Sequence, residues 1–81
     1  METRIALIGI IVNDYAATEK INAILHTYGE YIVGRMGVPY KPKNVNIISV
    51  IMDAPNDIIS TATGKLGMIT GVSIKTVYGK I

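Results

Sequence analysis

Two stretches of this chain, IALIGIIV from Ile5 to Val12 and VNIISVIM from Val45 to Met52, are apolar on both sides of any strand they could form. A β-strand sends successive side chains to opposite faces. The first stretch therefore divides into Ile5, Leu7, Gly9 and Ile11 against Ala6, Ile8, Ile10 and Val12. The second divides into Val45, Ile47, Ser49 and Ile51 against Ile48, Val50 and Met52. Neither stretch has a side suited to water. Strands of that kind belong in the middle of a sheet that is covered on both faces, and the remaining segments must supply the cover.

The spacing of Ala17, Ile21, Ile24, Leu25 and Tyr28 puts them on one helical stripe and predicts a helix over Asp14 to Tyr28, ended by Gly29. Tyr31 to Val38 alternates, with Ile32, Gly34, Met36 and Val38 opposite Tyr31, Val33, Arg35 and Gly37, and reads as an edge strand. Pro39 to Asn44 reads as a loop, because its two prolines lack the amide a ladder needs. Beyond Asp53-Ala54-Pro55, the pair Asn56-Asp57 offers a helix cap, and Ile58, Ile59, Ala62, Leu66 and Ile69 line a second stripe. Gly67 is expected at the left-handed position that closes this helix. Gly71 opens a last strand whose faces are Val72, Ile74, Thr76 and Tyr78 against Ser73, Lys75, Val77 and Gly79. The order βαββαβ predicts an α+β, ferredoxin-like sandwich: a four-stranded antiparallel sheet, the apolar strands central, with two helices on one face.

That architecture leaves a problem, since two helices cover only one side of the sheet. Fully burying an aliphatic side chain stabilises by roughly 1.5–3 kcal/mol, so covering half a dozen more is worth about 10 kcal/mol in total. This is enough to offset much of the ~4–15 kcal/mol entropic cost of association. A homo-oligomer is therefore expected, a dimer or a tetramer with sheet faces packed together through Ala6, Ile8, Ile10, Ile48 and Val50. A chain of 81 residues with no cysteine and one histidine has neither disulfides nor a histidine–cysteine metal site to reinforce a small core. Self-association fills that role.

The function classes narrow in the same way. The net charge of +2 comes from scattered lysines rather than a basic run, and the central strands carry none of the aromatics that stack RNA bases in modules of this topology. No direct nucleic-acid contact is expected, and the apolar stretches are too short to span a bilayer. Gly64-Lys65 is not a phosphate loop, because Leu66 follows the lysine and the helix lies ahead of it rather than behind. His26 falls on the solvent side of its helix, and no serine has a histidine partner. A cytoplasmic, non-enzymatic protein without cofactor or metal is expected. Gly64 remains unexplained: it lies opposite its own helix's apolar stripe, where a glycine costs about 1 kcal/mol relative to alanine.

Three motifs carry a resemblance: Arg35-x-Gly37-x-Pro39, Asn56-Asp57-x-Ile59, and Gly64-Lys65-Leu66-Gly67-x-Ile69-x-Gly71-Val72-x-Ile74-Lys75-Thr76. Together they resemble the small iron-only hydrogenase system regulators, a family similar to ACT-like regulatory domains and to the C-terminal domain of the nickel-responsive repressor. The resemblance implies a single ACT-like regulatory domain over residues 1–81, oligomeric and responsive to a small effector or to a protein partner. Nickel sensing does not carry over, since that site uses histidines and a cysteine. The chain opens with its first strand, so a transcriptional role is expected to need a partner protein. On this reading the effector meets Asn13, Asp14, Arg35, Gly64 and Lys65. The alternative is an oligomerisation module with no small-molecule ligand, in which Gly64 lets helices pack closely.

Overall fold

The computed structural model describes residues 2–79. Strand β1 (Arg4–Val12) leads into helix α1 (Ala16–Thr27). A short 3-10 turn (Gly29–Tyr31) then opens β2 (Ile32–Tyr40), and a second one (Lys41–Lys43) joins it to β3 (Val45–Ala54). Helix α2 (Asn56–Gly67) and β4 (Val72–Tyr78) complete the order. The strands lie as β2-β3-β1-β4, every pair antiparallel. The two isoleucine-rich strands are thus the central ones, and the fold is the ferredoxin-like sandwich expected of the sequence.

Both helices lie on one face of the sheet. Their stripes, Ala17, Ile21 and Leu25 on α1 with Tyr28 just past its end, and Ile59, Ala62 and Leu66 on α2, meet Ala6, Ile8, Ile10, Val12, Ile48, Val50, Met52 and Ala54 in one buried core. This corrects the expected interface. Ala6, Ile8, Ile10, Ile48 and Val50 are buried beneath the helices of their own chain and have no surface to offer a second copy. Two strands that are apolar front and back do not reveal which side the helices take, and the interior claims the row without a glycine or a serine. The row left open is Leu7, Gly9, Ile11, Ile47, Ser49 and Ile51.

Several local features also differ from expectation. A bulge between Ile32 and Gly34 shifts the register of β2 by one residue. Ile32 consequently packs against the core, while Gly34, Met36 and Val38 keep the open face. The strand runs on through Pro39 to Tyr40, which is allowed because its outer edge needs no amide from proline. Helix α1 starts at Ala16, where the Asp14 carboxylate accepts the Ala16 N–H at 3.0 Å. The expected Asn56-Asp57 cap is absent: Pro55 precedes the first helical residue, and Asn56 Oδ1 accepts a 3.1 Å hydrogen bond from Arg4 Nη1. Gly67 ends α2 without left-handed geometry, and Gly29 likewise starts a 3-10 turn rather than a left-handed stop. The glycine with positive φ is Gly71, at +83°. No helix among the described residues is long and apolar enough to cross a membrane.

Candidate functional site

Antiparallel register aligns side chains across all four strands, so the open face can be read as rows. One row is Val38, Ile47, Ile11 and Ser73, in the order β2 to β4. The next is Met36, Ser49, Gly9 and Lys75, and the third is Gly34, Ile51, Leu7 and Val77. The outer rows are largely apolar, yet Leu7 and Ile11 are 45% and 46% exposed, and Ile47 and Ile51 are each 39% exposed. Met36, Val38, Tyr40 and Val77 extend the apolar surface toward both edges. The middle row is lower and more polar, because Gly9 has no side chain and Ser49 has a small one.

This relief leaves two hollows. One, of about 350 Å³, is lined by Gly9, Ile11, Ile47, Ser73 and Lys75 together with Ile10 and Ile74. The other, of about 240 Å³, is lined by Gly34, Arg35, Met36, Ser49 and Ile51. Gly9, Ser73 and Lys75 are not among the site residues expected from the sequence. The available signal was a glycine inside a central strand, a position where glycine weakens a sheet and commonly marks the close approach of a ligand or another backbone.

The five residues expected to meet an effector are exposed, and four of them are engaged elsewhere. Asn13 donates its backbone N–H to the Gly71 carbonyl at 2.8 Å, and the Asp14 carboxylate accepts the Ala16 N–H at the start of α1. Lys65 Nζ lies 5.5 Å from the centre of the Tyr28 ring, within cation–π range. Arg35 Nη2 donates to Asn22 Oδ1 at 2.9 Å, tying the edge strand to α1. A Cβ built on Gly64 meets nothing within 4 Å. Asn13 and Asp14 are neighbours, as are Gly64 and Lys65, but the charged side chains of the set meet three separate points on or just past α1, at Ala16, Asn22 and Tyr28, rather than one another. Among the described residues no group of three or more histidine, cysteine or acidic side chains could hold a metal ion.

Comparison with known proteins places this geometry. The TM1266-like family, described as "Iron-only hydrogenase system regulator, putative", matches over residues 4–76. The uncharacterized protein TM1266 from Thermotoga maritima has a solved structure similar to this one, with a TM-score of 0.93 at 38% identity. The match covers 98% of this chain and 100% of that one. The C-terminal domain of the MgtC protein from Mycobacterium tuberculosis aligns with a TM-score of 0.69 at 13% identity, covering 96% and 89% of the two chains. The divalent ion tolerance protein CutA1 from Ehrlichia chaffeensis aligns with a TM-score of 0.53 at 15% identity, covering 100% and 86%. The last two are similar in fold alone. No curated protein matches the sequence.

Proposed function

The chain belongs to the TM1266-like family of iron-only hydrogenase system regulators, and from that premise we propose that it is a non-enzymatic, cytoplasmic regulatory domain that works as a pair of copies packed through their open sheet faces. The observation that carries this reading is the set of exposed large apolar side chains spread over all four strands of the open face. Leu7, Ile11, Met36, Val38, Tyr40, Ile47, Ile51 and Val77 are each between about two-fifths and two-thirds exposed. Covering the remainder stabilises by about 1 kcal/mol for each residue, or ~15 kcal/mol for two copies. That reaches the upper end of the ~4–15 kcal/mol cost of association. A contiguous apolar surface of this kind is uncommon on a soluble monomer. The family description supports the regulatory part.

Light scattering tests the reading directly. The unaltered chain is expected to give a dimer mass at micromolar concentration. Ile11→Lys combined with Ile47→Lys should give a monomer whose circular dichroism still shows helix and sheet, because both side chains point away from the core. A monomer mass for the unaltered chain at every concentration sinks the pairing.

A further inference from the structure

The subunit itself does not require a glycine at position 9. A Cβ built there comes no closer than 4.0 Å to another atom, the Lys75 carbonyl oxygen, and the backbone is ordinary central strand. A glycine in such a place sacrifices roughly 0.5–1 kcal/mol relative to alanine. The space it leaves is the floor of the 350 Å³ hollow, with Ile11 and Ile47 as apolar walls and Ser73 and Lys75 as its polar side chains. The lining contains a cation and a hydroxyl donor and no acid. The acid on this face of the central strands, Asp53, pairs with Ile5 two rows away, about 13 Å along the strand direction. A lysine set into an apolar plate that a second copy would dry needs a counter-charge, and none of the described acidic residues lines the hollow beside it. Its volume, with apolar walls and two polar side chains, falls in the range of small-molecule sites.

We propose that this hollow binds a small organic monoanion, an acid with a compact apolar body. Its acidic group is held by Lys75 and Ser73, and its body lies over the Gly9 backbone between Ile11 and Ile47. The inference rests on the paired-sheet reading, since the second copy is the roof that excludes water and strengthens the ion pair. It makes the pair of copies a sensor: the bound acid neutralises Lys75 and favours association.

The test is an NMR titration of the unaltered chain with benzoate and with hexanoate, using benzamide as the neutral control and light scattering on the same samples. Saturable shifts of the Gly9, Ser73 and Lys75 amides are expected with at least one acid. Binding of benzamide, and binding of the acid to Lys75→Met, should each be at least about tenfold weaker. The Lys75→Met variant should keep its dimer mass at high concentration. Gly9→Val should abolish the shifts while the subunit melts no lower than the unaltered chain. A dimer that shows no saturable shift with either acid, or that binds benzamide as well as benzoate, overturns the site and leaves the pairing intact. If Lys75→Met instead dissociates the dimer and neither acid shifts the hollow, Lys75 pairs with Asp53 of a second copy and the site is overturned. A monomer mass with saturable shifts overturns the pairing and its sensing role while the site on the subunit stands.

Discussion

Gly71 is held at φ +83°, and a Cβ there would lie 2.8 Å from Asp14 Cβ and 3.5 Å from the Asp14 nitrogen. Its carbonyl accepts the Asn13 N–H at 2.8 Å, so the turn before β4 is fastened to the loop after β1. The left-handed conformation alone costs a residue with a side chain roughly 1–2 kcal/mol, and the clash adds to it. Gly71→Ala is expected to lower unfolding stability by about 2 kcal/mol or more, read as a shift of the urea midpoint at unchanged m-value. The sequence identifies Gly71 as a turn glycine from its place ahead of an alternating strand. It does not reveal that the constraint is a contact with Asp14, because the two residues are distant in the chain and meet only once β1 and β4 are paired. Lys75 and Ser73 were obscure for the same reason: on β4 alone they are one face of an alternating strand, and their neighbours Gly9 and Ile11 come from a distant part of the chain.

The helices were legible as elements because a stripe at 3.6-residue spacing is a local property, and Ala17, Ile21, Leu25, Ile59, Ala62 and Leu66 are buried as the spacing requires. Their ends were less legible. Asn56 and Asp57 have the chemistry of a cap, but Arg4 engages Asn56 and Pro55 sets the entry to α2, a competition between distant residues that no local pattern contains. Strand β2 shows the same limit, since one bulge moves Ile32 from the open face to the core. Gly64 now has a plain prediction at this scale. It sits within α2 with open space where a side chain would go, so Gly64→Ala is expected to stabilise the chain by about 1 kcal/mol, raising the melting temperature without changing the light-scattering mass. A loss of mass in that variant would show that α2 packs against another copy through Gly64.

For the whole molecule, adjacent residues of β1 should behave as members of different structures. Ile8 lies in the core, and Ile8→Ala is expected to cost about 2–5 kcal/mol equally at every protein concentration. Leu7 lies on the open face, and Leu7→Ala should act mainly by weakening the pair. Its melting temperature should fall below that of the unaltered chain most clearly in concentrated solution, where association contributes most. Melting curves over a hundredfold range of concentration separate the two. The element order, the helical stripes and the centrality of β1 and β3 were legible in the sequence, because hydrophobic period and strand centrality follow from side chains already adjacent in the chain. Which face of those strands the helices cover, and hence that Ala6, Ile8, Ile10, Ile48 and Val50 are interior while Gly9, Ser73 and Lys75 share a hollow, was settled by the packed fold. Strand parity is a relation between elements, and it takes one value only when the helices settle on one side of the sheet.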